Sequence, residues 1–525
     1  MKILKHSSTK FCISTVGVVF MIFILSSCKK EIHADILITN GTVFNGIDTI
    51  PKSTVIAIKG DKIIYLGEND SLNIKAAITI DASGLILAPG FIDPHTHADN
   101  DLVSQNESHN KPFLFQGVTT VVIGNDGSSL YPTSSNASLL ESQGIGTNVV
   151  MLVGHGTIRK EVLGLNDKKA TDKDIDKMKS LLQDEMDAGA FGMSTGLFYA
   201  PGSYSNTDEI IALAKVVSKN NGIYDTHLRD EGSFSVGLVS AIKEVIDIGR
   251  KASLPVHISH IKCLGVDVWH QSDSIINLIK NAQKDNIEIT ANQYPYEASA
   301  TSLQAAVVPR WAESGGKDSL YLRYNSIPFK QNILNETRQN ILRRGGPEKL
   351  LIVEYEDETI VGKNLLEVSK HLNISPEETV FELLKLGYVK VASFNMNPDD
   401  INNFIKQPWV VTGSDGGSGH PRKYGSFAKK YSTYVVKDRL IDISFFINNS
   451  SYKTAQIFKI PKRGLLKKGY YADVILFDPS AFMDKATYTG PLEFSEGLVY
   501  SIINGQIIIE KGIYTGKLAG RVLKK

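Results

Sequence analysis

Cysteine is scarce. The 525 residues hold 3, Cys12, Cys28 and Cys263, too few for a disulfide framework. Two of them fall within the first 28 residues, which read as a targeting segment rather than as part of the fold. An excess of one charge is also missing. Lys and Arg number 57 against 56 Asp and Glu, a balance that gives no electrostatic case for a nucleic-acid partner. No internal repeat or low-complexity tract is present. The most apolar stretch, Phe11 to Leu25, is short for a stable membrane span, which needs about 20 residues.

What is present begins with an address. Lys2, Lys5 and Lys10 give a basic start, Phe11 to Leu25 an apolar middle, and Leu25-Ser26-Ser27-Cys28 a small-residue end before Lys29 and Lys30. That order reads as a secretory signal, with a single N-terminal anchor helix as the other reading. Both tether the chain to a membrane outside the cytoplasm. A cysteine directly after Leu-Ser-Ser resembles a bacterial lipobox. The resemblance implies cleavage before Cys28, a lipid on Cys28 and a place in the bacterial cell envelope.

Beyond this segment, 1–28, the texture changes twice. Residues 33–90 carry short strands and tight turns: Asp35 to Ile38 runs into Asn40-Gly41, and Val55 to Ile58 and Ile63 to Leu66 flank Gly60-Asp61 as a hairpin. From near Pro89, apolar strands alternate with amphipathic helices. Val121 to Ile123, Val149 to Val153, Ile223 to Thr226, Val256 to Ser259 and Ile287 to Thr290 read as strands, while Met178, Leu182 and Met186 have helical spacing. This rhythm predicts parallel strands. Their number suits a closed barrel better than an open sheet, although the count does not prove closure. The rhythm blurs near 300–390, which reads as an insertion, and resumes at Trp409 to Thr412. After Gly464 the texture is β again. The expected fold is therefore α/β, a (β/α)8 TIM-like barrel over 91–455. A small β-sandwich domain is expected to combine 33–90 with 456–525.

His95-Thr96-His97 follows the apolar Phe91-Ile92. At a strand end, residues two apart face one way and offer two imidazoles to one cation. Alone, such a pair is common by chance. Further groups sit at later strand ends: Asp126 after Val121-Val122-Ile123, His227 after Tyr224, His260 after Ile258, and Asp415 after Val410-Val411. Parallel strands of a barrel all end on the face where active sites form, so these distant groups can converge. His257 alternates away and reads as a packed histidine, Asp93 as a strand-end cap, and Cys263 as a buried small residue.

The chain resembles the D-aminoacylase (N-acyl-D-amino-acid deacylase) branch of the amidohydrolase superfamily. The resemblance rests on Ala88-Pro-Gly-Phe-Ile-Asp-Pro-His-Thr-His97, Gly117-Val-Thr-Thr-Val-Val-Ile-Gly-Asn125, Gly192-Met-Ser-Thr-Gly-Leu-Phe-Tyr-Ala-Pro-Gly202, Thr226-His-Leu-Arg-Asp-Glu-Gly232, Ser259-His-Ile-Lys262, Tyr294-Pro-Tyr296, Gly413-Ser-Asp415 and His420-Pro-Arg-Lys-Tyr-Gly425. They span most of residues 35–480. The resemblance implies a barrel flanked by a β domain, with one or two zinc ions at the strand ends. It implies His95, His97, His227 and His260 as ligands and Asp415 as the catalytic aspartate. It also places Lys262, Tyr294 and Arg422 around the substrate carboxylate. There are departures. Asp126 stands where the branch usually has a cysteine, putting a hard ligand for a soft one. Ala300 replaces a usual serine of the carboxylate pocket, and the superfamily's carboxylated lysine has no counterpart.

An amide resists water because its carbonyl is a poor electrophile and its amine a poor leaving group. Zinc polarises the carbonyl and lowers the pKa of water to roughly 7. The expected reaction is hydrolysis of an N-acyl-D-amino acid. Asp415 moves the proton from water to nitrogen, metal is held by His95, His97, Asp126, His227 and His260, and Lys262, Tyr294 and Arg422 clamp the α-carboxylate. His155 is expected to line the pocket, and Arg229 and Glu231 to orient the ligands. Handedness rests on the resemblance alone. The rival readings are a hydrolase of cyclic amides, of hydantoinase or dihydropyrimidinase type, and a non-catalytic envelope binding protein on the same barrel.

Overall fold

Strands from both ends of the chain share one sheet in the computed structural model, which describes residues 31–68 and 73–525 together with Leu4. The expected signal segment and the lipid-bearing Cys28 lie outside the described residues. In the shared seven-stranded sheet, Val474–Phe477 runs antiparallel to Ile86–Pro89 with Leu476 opposite Leu87, and Leu498–Ile503 and Gln506–Glu510 extend it. A four-stranded sheet is built on Glu31–Thr39, which pairs antiparallel with Val55–Lys59 and parallel with Asn73–Asp81. Alternate residues of Glu31–Thr39 are buried, the period of a strand with one wet face. Side chains of both sheets meet in one apolar cluster that includes Ile36, Ile56, Ile58, Val474, Leu476 and Ile502.

Between these terminal segments lie the parallel strands. Six are joined in the order Val153–Gly154, Gly192–Gly196, Ile223–His227, Val256–Ile258, Ile289–Gln293, Val410–Thr412, and three in the order Asn148–Met151, Val118–Ile123, Phe91–Asp93. The break between the two groups is the single residue Leu152. Hydrogen bonding continues across it, with Leu152 N–H donating to Ile123 C=O and Phe191 N–H to Met151 C=O. At the opposite margin Thr96 and Gly416 form a parallel bridge, His97 N–H donates to Gly416 C=O and Asp415 N–H to His95 C=O.

The connections are amphipathic helices, among them Asp172–Asp187, Thr207–Lys219, Leu238–Ala252 and Ser272–Lys284. In Leu238–Ala252 the buried Ala241, Ile242, Val245, Ile248 and Ala252 form one stripe, and the chain leaves the helix at Ser253 in a left-handed conformation. That stripe packs on Tyr224, Val256 and Ile258 of the strands beneath. Each fully buried Ile or Val contributes about 1.5–3 kcal/mol. Burial on both faces explains apolar stretches such as Val121-Val122-Ile123 and Val149-Val150-Met151, which have no wet face.

Residues 298–394 depart from this pattern. Ala298–Ser302, Lys390–Phe394 and Leu350–Glu354 form an antiparallel sheet, and helices such as Ile327–Arg343 and Pro376–Leu386 cover it around a separate core containing Leu303, Ile333, Leu350, Phe381 and Val391. The helix Arg422–Lys429 runs on into a π-helical stretch, Lys430–Lys437, which the sequence pattern does not suggest.

Candidate metal centre

The parallel strands deliver their polar ends to one place. His227 is the last residue of its strand, and His95, His97, Asp126, His260 and Asp415 follow theirs within four residues. Asp126 Oδ1 lies 3.5 Å from His95 Nε2, 3.5 Å from His260 Nε2 and 3.9 Å from His227 Nδ1, and its Oδ2 is 3.6 Å from His97 Nε2. Asp415 Oδ1 lies 3.0 Å from His97 Nε2 and 3.6 Å from His95 Nε2. His227 Nδ1 and His260 Nε2 face each other at 2.9 Å. All six sequence-predicted groups are therefore gathered.

Three of them hold a left-handed backbone: Asp126 at φ 55°, His260 at φ 33° and Asp415 at φ 50°. Non-glycine residues rarely adopt it, Asp, Asn and His least reluctantly. It turns each side chain off its strand axis toward the common centre. Hydrogen bonds to neighbouring strand ends hold these turns. His260 N–H donates to Asn292 Oδ1 at 2.9 Å, and Asp93 Oδ1 accepts from Ser414 N–H at 3.0 Å and His95 N–H at 3.2 Å. Thr96 N–H donates to Asn125 Oδ1 at 3.4 Å. Asp93 is thus a cap, as expected. His257 is packed below the centre, bonded to Thr290 and Asn292.

The charges oppose their own burial. Burial works against ionisation of Asp126, yet His95 and His260 hold its carboxyl well below the usual range. For Asp415 burial is likewise outweighed, first by Arg422 and then by His260 and His97, and the carboxyl stays far below its ordinary value. Burial and Lys262 disfavour a charged His260, but Glu231, Asp415 and Asp126 push it up to about 9. Burial brings His227 down to about 4. This is an anion-rich cluster drawing on imidazoles for positive charge, which a cation can supply instead.

Unpartnered atoms support that fit. His95 Nδ1 and Nε2 and Asp126 Oδ1 are buried with no hydrogen-bond partner. Buried polar atoms left unmade cost about 1–3 kcal/mol each. His95, Asp126, His260 and Asp415 can present ligand atoms to one ion, and the imidazole and carboxylate set suits zinc. Among the described residues no cysteine joins the cluster; Cys263 is buried and is not one of the groups that gather there.

Beside this cluster stand the residues expected to clamp a carboxylate. Tyr294 Oη and Arg422 Nε and Nη1 are buried and without hydrogen-bond partners. Arg422 Nη1 lies 2.8 Å from Asp415 Oδ2, near enough for an ion pair but off the hydrogen-bonding direction. The Arg422 guanidinium carbon is 4.7 Å from the centre of the Tyr294 ring, and the Lys262 ammonium is 5.6 Å from it. Lys262, Tyr294, Arg422 and Ala300 all line one cavity of about 1050 Å³ that opens over the metal cluster.

Two minor expectations need correction. His155 does not line the cavity: it begins the helix His155–Leu163, and its Nε2 turns to Glu209 Oε1 at 2.8 Å, shared with Arg159. Arg229 does not support the ligands, because its Nε and Nη2 donate to Glu244 at 2.9 Å and its Nη1 to Ser203 C=O at 3.4 Å. Glu231, by contrast, touches them: its Oε1 is 3.0 Å from His260 Nδ1. Sequence reasoning missed Lys390, a cavity-lining cation from the antiparallel sheet, and Tyr199, whose ring lies 4.8 Å from that of His227. The Gly-Leu-Phe-Tyr stretch carried a signal for Tyr199, whereas nothing near Lys390 did.

Comparison with known proteins agrees with this geometry. Residues 79–310 match the model of the amidohydrolase family. The chain is 31% identical to D-aminoacylase of Alcaligenes xylosoxydans xylosoxydans, over 94% of this chain and 98% of that protein. It is also 31% identical to N-acyl-D-aspartate deacylase of the same organism, over 94% and 95%. The chain belongs to the D-aminoacylase family of amidohydrolases. Among solved structures it resembles N-acyl-D-glutamate deacylase from Bordetella bronchiseptica, complexed with zinc and a phosphonate mimic of the tetrahedral intermediate. That likeness has a TM-score of 0.81 and 26% identity over 94% of this chain and 100% of that one.

Proposed function

We propose that the protein is a zinc-dependent deacylase of N-acyl-D-amino acids, releasing a carboxylic acid and a D-amino acid. The observation that carries this is two sets of unsatisfied groups at one cavity: Asp126 in its wall, with His95 buried against it, at a cation site, and Tyr294 and Arg422 at an anion site beside it. A linear N-acyl amino acid has an amide for the first and a carboxylate for the second. In this reading His95, His97, Asp126, His227 and His260 hold the metal, and bound zinc supplies Lewis-acid chemistry at the amide carbonyl. Arg422, Tyr294 and Lys262 bind and orient the carboxylate. Asp415 accepts a proton at its carboxylate from the attacking water and returns it to the leaving nitrogen. A carboxylate that engages Arg422 competes with Asp415 for the guanidinium, which frees Asp415 for that task. The D-preference is supported by the named substrates of the relatives.

The architecture proposed to carry this site is an eight-stranded closed barrel over 91–455. It counts Asn148–Met151 and Val153–Gly154 as one strand across Leu152, and takes the Thr96–Gly416 bridge as the seam. Residues 298–394 are proposed as an insertion into it, and 33–90 with 456–525 as a small β-sandwich, supported by their shared apolar cluster. A lipid anchor at Cys28, placing the enzyme in the cell envelope, is proposed from Leu25-Ser26-Ser27-Cys28 alone.

The test is an assay of the purified protein with added zinc against paired N-acetyl-D- and N-acetyl-L-amino acids. The expected result is release of acetate from the D series. Turnover of hydantoins or dihydropyrimidines with none of N-acyl-D-amino acids would overturn the assignment.

A further inference from the structure

Glu231 is buried, 5% exposed, and it sits behind the metal cluster rather than in it. His227 Nδ1 and His260 Nε2 converge on Asp126, while Glu231 faces the opposite nitrogen of each ring: Oε1 lies 3.0 Å from His260 Nδ1 and Oε2 3.8 Å from His227 Nε2. The Lys262 ammonium is wedged into the same corner, 2.6 Å from Glu231 Oε1 and 2.6 Å from His260 Nδ1.

These contacts compete. A neutral imidazole carries one proton, and a ring that offers Nε2 to a cation must carry it on Nδ1. A hydrogen on His260 Nδ1 needs an acceptor, and Glu231 Oε1, 3.0 Å away though off the present N–H direction, is the carboxylate oxygen in reach. An ammonium donating to Nδ1 demands the reverse, with the hydrogen on Nε2 pointing into the metal site. The ammonium has three hydrogens and reaches Glu231 Oε1 and Nδ1 together, so the carboxylate's own demand for the Nδ1 proton decides between the two states. Glu231 can also be read as a direct ligand with His227 and His260. The ammonium in contact with its Oε1 argues against that, since a cation there would stand against another positive charge.

We propose that Glu231 is a positioning residue: it accepts the proton of His260 Nδ1 and occupies the Lys262 ammonium, so that His260 presents a free Nε2 to the metal while Lys262 stays poised on the cavity wall. The inference rests on His260 being a metal ligand, as proposed above. It adds that the lysine on the substrate side becomes an antagonist of metal binding when Glu231 is lost.

The experiment measures zinc affinity of the full-length, metal-depleted protein by competition with a chromophoric chelator, for the parent, Glu231→Ala, Lys262→Met and the double variant. Glu231→Ala is expected to weaken zinc binding by about 10–100-fold, the range for loss of a group that orients a ligand histidine. Lys262→Met alone should bind zinc at least as tightly as the parent. The double variant should recover most of the loss, because nothing is left to donate to Nδ1. A purely structural role for Glu231 predicts no such recovery. Glu231→Ala within threefold of the parent, a double variant no better than Glu231→Ala, or Lys262→Met weakened tenfold would each overturn the inference. If Glu231→Ala does not fold, the Lys262→Met result decides the matter. Zinc affinity involves no substrate, so failure to cleave N-acyl amino acids counts against the proposed function and leaves Glu231 untouched.

Discussion

Replacing Asp415 by asparagine separates proton transfer from everything else this side chain does. The change keeps size and shape and removes the charge. A positioned acid–base group contributes about 10²–10⁴-fold to the rate, or about 2.7–5.4 kcal/mol of barrier at 1.36 kcal/mol per tenfold. Structural loss should be smaller. Removing one partner of a buried ion pair costs about 3–5 kcal/mol, but the asparagine keeps a polar oxygen facing the Arg422 guanidinium, so on the order of 1–2 kcal/mol is expected. Asp415→Asn should therefore melt a few degrees lower and lose two to four orders of magnitude in kcat, with KM changed far less. Zinc per chain has to be measured in the same sample, because Asp415 Oδ1 is also within 3.6 Å of two imidazole nitrogens. A zinc-loaded variant within tenfold of the parent's kcat would refute the argument. So would a variant that loses zinc and regains full activity in excess zinc, since Asp415 would then be a ligand and not a proton carrier.

Tyr294→Phe removes a buried hydroxyl that lacks a partner. KM for an N-acyl amino acid should rise about 10–100-fold, the worth of a hydrogen bond to a charged group, with Tm unchanged or higher; unchanged KM would remove Tyr294 from the carboxylate site. Chelation of zinc should abolish turnover and lower stability by about 4 kcal/mol relative to protein at a free-zinc concentration 1,000 times its Kd, checked by thermal melts with and without chelator. Lys430 is fully buried, its Nζ donates to Thr412 Oγ1 at 3.0 Å, and burial pushes its pKa down to about 7. An unfolded lysine keeps its proton to about pH 10, so between these values the unfolded chain binds the extra proton and stability rises with pH. Lys430→Met should flatten that rise and raise Tm near pH 6; equal slopes in parent and variant would refute the shift.

The parallel strands were legible because burial on both faces leaves a run such as Val118–Ile123 without a charged position, and helices such as Leu238–Ala252 show their stripe. The site was legible because its groups stand just beyond such runs. Legibility fails where partners are distant and sequences bland. Ala298–Ser302 has no strong strand pattern and pairs with Lys390–Phe394, some ninety positions on, so neither the antiparallel sheet nor the arrival of Lys390 at the cavity has a local signature. His155 and Arg229 were misassigned for one reason. Each stands beside the cavity in sequence order, but each turns to an acid on a neighbouring helix, Glu209 or Glu244, and that choice is made by packing.

The residue types at the centre follow from backbone as much as from coordination chemistry. A strand that runs straight past its last ladder bond points alternate side chains into and out of the sheet, and neither direction aims at a common point above the strand ends. A left-handed residue breaks that alternation at a cost of about 1–3 kcal/mol. Asp126, His260 and Asp415 take that conformation, and glycine, the residue that adopts it most readily, has no ligand atom to offer. Asp and His are types that both tolerate the turn and bind a metal. At position 126 an aspartate meets both demands without a thiol. Its two oxygens face different imidazoles, Oδ1 toward His95, His227 and His260 and Oδ2 toward His97, a span that a single sulfur atom cannot divide in the same way. Asp126→Cys should on this argument still fold, since the turn is fixed by its neighbours. It should shift metal preference toward softer ions, read as the ratio of cadmium to zinc affinity. An unchanged ratio would mean that Asp126 stands near the metal without binding it.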